Sequence, residues 1–504
     1  MFKIHHQLLR YFICLFLLLQ SCVPTLPEYK NLPKEDITIP EHFPGGDQES
    51  EKSDKSDSSQ TNPDSVTKEK KEDLVKENWK LFFKDEQLIA LIETALENNQ
   101  DLNILNYDIN IANNEIMARQ GQYLPKLGIG AGYEYEKTSK FTNSGASGEA
   151  ANVPDKLHNR QLGLNASWEV DIWKKLRNFA KAAYYEYLAS IEGKNFAVTQ
   201  LAAEVADNYY ELMALDNQLE IIEQYIKTLQ EAQQVVKWQQ IAGRTTSLPV
   251  RRFDAEVLKN QSRKYKIQQQ IIITENHLNA LLGRLPQPIS RASKKFKEIE
   301  MPEVVAGVPS ALLDNRPDIK QASLKLEAAK LDVKAVKAEF YPSLNIDAAL
   351  GYKSFNSHHF IGTPDALFYN IAGSLTAPLL NRNAIKADYF SANNHQIQAI
   401  YNYEKTFINA FSEVSNQLAS VKNLKQIYEL KLQQTEVLAD SFDISNILFK
   451  AARVDYLESL LTRRDYLETQ IELVEVKQQQ LSAYVNLYKT LGGGWRNELS
   501  ESKK

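Results

Sequence analysis

An internal duplication covers most of this chain and constrains its fold more than any other feature. Two offsets relate the copies: 217 residues for positions up to Pro125 and 209 residues for positions from Glu204 onward. The first copy therefore carries about eight additional residues between Pro125 and Glu204. A repeated unit of this length predicts two structurally equivalent halves. The matched positions are 95–102 with 312–319, Pro125 with Pro342, 204–205 with 413–414, 242–244 with 451–453, Leu248 with Leu457, and 282–283 with 491–492.

Each copy ends in a segment that predicts a long helical hairpin. The 504 residues include only 19 Gly and 17 Pro, so helix breakers are scarce. Residues 379–491 are a run of 113 residues without Gly or Pro, which would span about 170 Å as one helix. We therefore expect the chain to turn back, at 243–249 in the first copy and at 452–458 in the second. The apolar residues whose steps of four and three are typical of a coiled coil are Phe407, Phe411, Val414, Leu418 and Val421.

The sequence period changes from helical to two in the middle of each copy. Apolar residues there alternate with polar residues or glycine, which is typical of amphipathic strands. The expected β-hairpins are about 126–171 and about 343–378, with polar loops of roughly 138–159 and 354–365 between their strands. The predicted apolar face consists of Leu127, Ile129, Ala131, Tyr133 and Tyr135, then Leu162, Leu164, Ala166, Trp168 and Val170, and in the second copy Leu344, Ile346, Ala348, Leu350, Tyr352, Leu367, Tyr369, Ile371, Leu375 and Ala377.

The first 21 residues predict a signal peptide. Basic residues precede an apolar run, 11–19, which is too short to span a membrane as a helix. The run is followed by Gln20, Ser21 and Cys22 in a pattern that resembles the bacterial lipobox, so Cys22 is predicted to be the lipidated mature N-terminus. An ordinary signal peptide with an incidental cysteine is the alternative. The only other cysteine is Cys14, so no internal disulfide is expected.

Four alternating strands in an exported chain favour the membrane over a soluble sandwich, in which a single strand would show the same pattern. Aromatic residues near the strand ends are typical of transmembrane β-barrels. Four strands cannot close a barrel in lipid, because the two edge strands would keep unpaired backbone groups. The barrel must then be shared between subunits.

Several classes of function are disfavoured by the sequence. The 59 basic and 64 acidic residues give a net charge of -5, which provides no excess of positive charge for nucleic acid. No HExxH, P-loop or GxSxG motif is present, so no catalytic residue, metal or cofactor is predicted, and an enzyme is the least favoured reading. His358 and His359 are interpreted as residues of a polar loop; a surface metal site there is the alternative.

A set of short motifs along the chain carries a family resemblance: 79–85, 88–102, Ala118-Arg119, Leu124-Pro125, 167–172, 313–318, 340–344 and 491–495. In these motifs the chain resembles the TolC-like outer-membrane efflux proteins, in particular their NodT-like lipoprotein subgroup. The resemblance implies a homotrimer in which each protomer gives four strands to one twelve-stranded barrel, continued by a helical periplasmic tunnel. It also implies two partners, a periplasmic adaptor (membrane fusion protein) and an inner-membrane pump.

The resemblance also suggests site residues at the two helical turns. The adaptor is expected to contact Gly243, Arg244 and Thr245 in the first turn and Ala452, Arg453 and Val454 in the second. Capping of helix C-termini is the alternative role for the two arginines. The family's acidic gate aligns with Glu458, while its further acid falls on Leu461. Asp455 is a second candidate. For both acids the alternative is a solvated residue at the start of the returning helix, which Asp455 would help to cap. An apolar constriction by Leu457 and Leu461 is the alternative to an acidic gate.

Two functions remain open on the sequence alone. The favoured one is an exit duct in the outer membrane that passively exports small molecules or drugs. The alternative is a structural coiled-coil envelope lipoprotein without a pore, which would have no use for the four strands. The expected organisation is a signal peptide (1–21), a lipidated Pro-rich and acidic disordered linker (22–78), a first repeat (79–283), an inter-repeat linker (284–310), a second repeat (311–494) and a C-terminal tail (495–504).

Overall fold

The structure is a computed structural model, and it describes residues 23–26, 40, 43, 79–151, 153–154, 156–301, 309, 311–380, 382–451 and 453–494. The predicted signal peptide, Cys22, most of the predicted 22–78 linker and the 495–504 tail lie outside the described residues. The described chain forms two compact units. The sheet and its adjoining helical segments, in Asp108–Ser190 and Ala322–Tyr403, make one unit. The helical hairpins belong to the other unit, which comprises the described residues of Ile191–Gln321, Glu404–Lys504 and Asp36–Tyr107.

Long helices dominate, as the scarcity of Gly and Pro predicts. None of the described helices combines the length and the apolarity that crossing a membrane requires. In chain order the elements are α1 Trp79–Phe82, α2 Glu86–Asn98, α3 Gln100–Tyr123, β1 Lys126–Lys137, α4 Asn143–Ala150, β2 Lys156–Val170, α5 Lys175–Ile241, α6 Ser247–Leu281, α7 Ala311–Asn315, α8 Pro317–Ala338, β3 Ser343–Ser354, β4 Leu367–Thr376, α9 Asn383–Lys450 and α10 Tyr456–Thr490, with 3-10 turns at Ser293–Glu298 and Ser357–His359.

The four strands form one antiparallel sheet in the order β1-β2-β3-β4. The register aligns the apolar side chains of all four strands on one face. Ile129 lies opposite Leu164, Leu164 opposite Leu350, and Leu350 opposite Tyr369. Glycine and polar residues alternate with them on the other face, for example Gly130 opposite Gly163. The strand faces predicted from the period-two pattern are therefore confirmed, except that Ala377 lies just beyond the end of β4.

The unit that contains the helical hairpins has one extensive hydrophobic core. It is built from α1, α2, α5, α6 and α10, with side chains from the start of α3, from the segment that follows α6 and from the end of α9. Tyr209 is fully buried in it and donates a hydrogen bond to Asp85, the residue that caps α2, over 2.8 Å. This bond ties the beginning of the first repeat to the long helix α5.

The duplication is visible in equivalent contacts within this unit. Gly283 and Gly492 follow α6 and α10 with φ of 67° and 89°, and an added Cβ would lie 2.3 Å from the Asn98 carbonyl oxygen and 2.5 Å from that of Asn315. Only glycine fits such a conformation and such a close approach. In the first copy the side chain of Asn99 donates to the carbonyl of Leu281, and in the second Arg316 donates to the carbonyl of Thr490, both over 3.0 Å.

One predicted loop contains more structure than the sequence suggested. The polar segment 138–159 includes the eight-residue helix α4, and β2 begins at Lys156. The backbone N–H of Ala146 bonds to the carbonyl of Thr142, and the hydroxyl of Thr142 accepts from the N–H of Gly145 over 3.2 Å. Capping by Thr142 stabilises a segment whose composition, rich in Gly and Ser, predicts a loop.

Candidate functional site

The first helical turn joins α5 to α6 through residues 242–246. Gly243 adopts a φ of 70°, the left-handed conformation that ends many helices. Its backbone N–H bonds to the carbonyl of Gln240, and the N–H of Arg244 bonds to that of Gln239, each over 2.9 Å. These two bonds are the Schellman pattern, which explains why a glycine stands at this position.

The second turn joins α9 to α10 and repeats this arrangement where it is described. The N–H of Arg453 bonds to the carbonyl of Leu448 over 2.9 Å, which is the bond of Arg244 shifted by the repeat offset. Ala452, the counterpart of Gly243, lies outside the described residues. Both turns thus overlap the segments where the sequence predicts them, and each begins one residue earlier than predicted.

The two arginines cap their helices through the backbone and leave their side chains exposed. Neither the guanidinium of Arg244 nor that of Arg453 makes a hydrogen bond or an ion pair with a described residue. Thr245 and Val454, which follow them, are half-buried. Leu248 and Leu457 are exposed just beyond each turn. Each turn therefore presents a cationic side chain and an apolar side chain to solvent at equivalent positions.

The two acidic candidates lie together at the start of α10. Asp455 is the residue before the helix, with φ -68° and ψ 148°, but its carboxylate makes no capping hydrogen bond. Its backbone carbonyl accepts from the N–H of Ser459 over 3.2 Å. Glu458 is exposed in the first turn of α10, where the unpaired N–H groups of a helix favour negative charge. The side-chain capping role considered for Asp455 is therefore not observed.

The first turn carries no acid at the equivalent positions. Thr246 stands before α6 where Asp455 stands before α10, and Pro249 is the counterpart of Glu458. Pro249 is buried, whereas Glu458 is exposed. The acidic charge is thus confined to the second turn of each chain.

A buried arginine near the second turn was not found by sequence reasoning. Arg463 on α10 donates to Asn446 on α9 over 2.5 Å and lies over the ring of Phe442 at 5.1 Å from its centroid. Burial lowers the pKa of this guanidinium from its usual value. The available signal was its position, since Arg463 continues the buried series that includes Leu467, Ile471 and Val474. This contact holds α9 and α10 together beside the turn.

A buried carboxyl group was also missed. Asp207 on α5 accepts a hydrogen bond from the Nδ2 of Asn486 on α10 over 3.2 Å, while its other oxygen, Oδ1, is buried without a partner among the described residues. Burial raises the pKa of Asp207 to about 6, although hydrogen bonds from Ser482 and Asn486 and the charge of Lys489 oppose this rise. The pKa of Asp207 therefore lies well above the ordinary range of an aspartate.

Comparison with known proteins places this arrangement in a family. The model of the family described as Outer membrane efflux protein matches residues 91–284 and 308–493, one match for each copy of the repeat. The pyoverdine export outer membrane protein OpmQ of Pseudomonas aeruginosa is 29% identical over 429 residues, which cover 84% of this chain and 88% of that protein. The cation efflux system protein CusC of Escherichia coli is 27% identical over 422 residues, covering 83% and 88%.

Solved structures share the fold over most of the chain. A crystal structure of CusC, reported in the context of transmembrane channel formation, superposes with a TM-score of 0.73 at 25% identity and covers 83% of this chain and 95% of that one. The outer membrane protein VceC of Vibrio cholerae superposes with a TM-score of 0.74 at 24% identity, covering 83% and 99%. Both copies of the repeat match one family, and relatives along most of the chain are outer-membrane parts of efflux systems; this chain therefore belongs to the outer membrane efflux protein family.

Proposed function

We propose that three copies of this chain form one passive duct through which small molecules leave the periplasm. The observation that carries the proposal is the open sheet. Within the described residues β1 pairs only with β2 and β4 only with β3, so both edges of the sheet are unpaired. Unpaired edges are costly in lipid, and pairing β4 of one copy with β1 of the next removes them. Three copies of four strands give a barrel of twelve.

The apolar face of the sheet supports a location in the membrane. Leu127, Ile129 and Ile371 are largely exposed on that face. An exposed apolar face on every strand suits hydrocarbon, while the glycine and polar face suits a water-filled interior. The alternative, a coiled-coil spacer without a pore, gives no role to these strands.

The two turns are proposed as the docking surface for a periplasmic adaptor. Arg244 with Leu248, and Arg453 with Leu457, form two equivalent patches of one cation and one apolar side chain in each chain. A trimer would present six such patches to the tips of a helical adaptor, which in turn would connect the duct to an inner-membrane pump. Charge-assisted hydrogen bonds from the arginines would fix the register of that contact.

Glu458 and Asp455 are proposed to gate the duct. Three-fold symmetry would bring three copies of each acid around one axis, where like charges repel and cations are attracted. The free carboxylate of Asp455 and the exposure of Glu458 support this role. An apolar constriction by Leu457 and Leu461, which are both exposed, is the competing proposal.

Cys22 is proposed to carry a lipid that anchors the mature N-terminus to the outer membrane. A single acyl chain binds membranes only marginally, so the lipid would support the barrel rather than replace it. Intact mass spectrometry of the mature protein tests this directly. A Cys22 without a mass increase would contradict it.

The duct itself is tested with the purified full chain in mild detergent and then in planar bilayers. We expect the native mass of three chains and stepwise ohmic conductance without any energy source. A native mass of one or two chains, or a trimer that never conducts, would favour the spacer.

A further inference from the structure

The apolar face of the sheet ends in basic side chains at one end. The register of β1 and β2 places Lys137, Lys156, His158 and Arg160 on this face. They stand at the end of the hairpin away from α3 and α5, the helices that precede β1 and follow β2. We refer to these four residues as the basic rim.

The acidic side chains of the strands lie on the other face. Glu134 and Glu136 on β1, Glu169 on β2 and Asp347 on β3 all alternate with the apolar residues. Within the described strands the apolar face therefore carries the basic rim and no carboxylate. A rim that needed only to be polar would have no reason to exclude acids.

Two lysines of the basic rim face each other directly. Lys137 on β1 pairs with Lys156 on β2. Directly opposite residues have Cβ atoms about 5 Å apart, and like charges in such a pair destabilise a sheet. Both side chains are exposed, and neither makes an ion pair or a hydrogen bond with a described residue. An anion between the two ammonium groups would remove their repulsion.

The other two residues of the rim are held in place by an aromatic side chain. The hydroxyl of Tyr133 and the Nδ1 of His158 share a hydrogen bond over 2.7 Å. The guanidinium of Arg160 lies over the ring of Tyr133, 5.8 Å from its centroid, and donates to the carbonyl of His158 over 3.4 Å. These contacts hold a cation beside the two lysines before any ligand binds.

Tyrosines mark where the hydrocarbon of a membrane would end on this face. Tyr133 and Tyr135 are both exposed there, and aromatic residues of membrane strands lie at the level of the lipid headgroups. Lys137 stands two residues beyond Tyr135, about 7 Å farther along the strand. Its ammonium group therefore reaches the level of lipid phosphates.

We infer that the basic rim binds the phosphate group of a phosphorylated glycolipid in the outer leaflet of the outer membrane. This inference rests on the proposed duct, which turns this end of the sheet towards the cell exterior. Lys137, Lys156 and Arg160 donate charge-assisted hydrogen bonds to the phosphate oxygens. The acyl chains of the same lipid lie along the apolar face below.

The second hairpin lacks such a rim. At the same end of the sheet, the apolar face of β3 and β4 carries Tyr352, Ser354 and Leu367, while Lys353 lies on the other face. Each chain therefore offers one phosphate site, on its first hairpin. A trimer would bind three such lipids.

Native mass spectrometry of the full chain in mild detergent tests the inference. The probes are diphosphoryl lipid A and the same lipid after removal of both phosphates. Wild-type trimers should take up three molecules of the phosphorylated lipid, with an affinity about tenfold higher than for the dephosphorylated one. Lys137→Gln combined with Lys156→Gln should remove this preference and leave binding of the dephosphorylated lipid unchanged.

Two further pairs of substitutions serve as controls. Lys126→Gln combined with Lys353→Gln removes the same charge from the other face of the sheet, so it should bind both lipids as wild type does. Lys137→Arg combined with Lys156→Arg keeps the cations and should keep the preference for phosphate.

Three results would overturn the inference: equal affinity of wild type for both lipids, an equal loss in the Lys126 and Lys353 control, or displacement of the lipid by equimolar inorganic phosphate. The last would show that the ligand is a free anion. A trimer that conducts without distinguishing the lipids leaves the duct intact. A chain with the mass of one that still prefers the phosphorylated lipid would overturn the duct and retain the phosphate site.

Discussion

The two turns of the helical hairpins share a backbone and differ in chemistry. Arg244 and Arg453 make the same capping bond at equivalent positions. Beyond that bond the copies diverge, since α6 begins after Thr246 and α10 after Asp455. The exposed Glu458 replaces a buried proline. The two copies thus share the backbone of the turn, and only the second carries acidic residues there.

The same divergence continues one turn of helix farther on. In the second copy the buried Arg463 bonds to Asn446, whereas its counterpart Asp254 accepts from Gln233 over 2.6 Å. Both contacts link the two helices of one hairpin. A cation in the second copy and an anion in the first thus link the helices of their hairpins from equivalent positions. The contact between the helices is kept in both copies, whereas the sign of the charge differs.

We expect the largest loss of stability from substitutions in the strands, where the two copies should respond alike. Ile129 and Ile346 are equivalent and lie on the apolar face. Lysine at either position should cost about 2–4 kcal/mol, because it places a charge in the hydrocarbon near mid-strand. Folding titrations in lipid vesicles measure this cost.

The matched controls are Gly130→Lys and Asn345→Lys on the opposite face. Both should be tolerated far better than the apolar-face variants, since a lysine there would meet water. Equal losses at the two sets of positions would show that the faces are misassigned.

Asp207 should distinguish the copies by the pH dependence of stability. Its folded pKa of about 6 lies above the ordinary value of 3.8, so the folded chain binds the proton more tightly than the unfolded chain. Stability should therefore fall as the pH rises from about 4 to about 6. Asp207→Asn should remove this fall and gain up to about 3 kcal/mol at pH 7. Denaturant titrations of the purified protein at several pH values give the comparison.

The counterpart of Asp207 in the second copy is Asn416, which is exposed. Asn416→Asp is therefore the control, and it should leave the pH profile unchanged. A wild-type profile that is flat between pH 4 and 6 would mean that burial of Asp207 is compensated in the trimer.

Substitution of the arginines in the two turns should change the stability of the protein least. Arg244→Glu and Arg453→Glu change exposed side chains that make no described contact, so each should alter stability by no more than about 0.5 kcal/mol. Together they should abolish crosslinking of the adaptor to the trimer. If the adaptor still crosslinks to the trimer when both arginines are replaced by glutamate, the arginines do not contact the adaptor. Backbone capping would then be their only role.

Much of the fold could be predicted from periodicity. The period of two located the strands and the face on which Ile129 and Leu350 lie, because one face of a half-buried strand must be apolar. The repeat offset predicts that the second turn lies 209 residues after the first. The structure agrees, since the backbone hydrogen bond of Arg244 recurs at Arg453.

The remaining features depend on contacts between distant segments. Asn99 ends α2 and bonds to Leu281, 182 residues away, and nothing local marks this pairing. The pKa of Asp207 depends on its burial against α10. The residues next to Asp207 in the sequence give no sign of this burial. The 3-10 turn at Ser357–His359 is stabilised by Asn356, whose side chain accepts from the N–H of His358 over 3.0 Å. Such a turn is short enough to be read as a loop.

The acidic gate is tested most directly by the zero-current potential of single trimers in a salt gradient. Wild type should be cation-selective and blocked by divalent cations added from the periplasmic side. Glu458→Ala should weaken both properties, and Asp455→Ala should weaken them less, while the conductance steps persist. If Glu458→Ala leaves selectivity and block unchanged and Asp455→Ala lowers only thermal stability, the second turn is not an acidic gate, and Leu457 and Leu461 form the constriction instead.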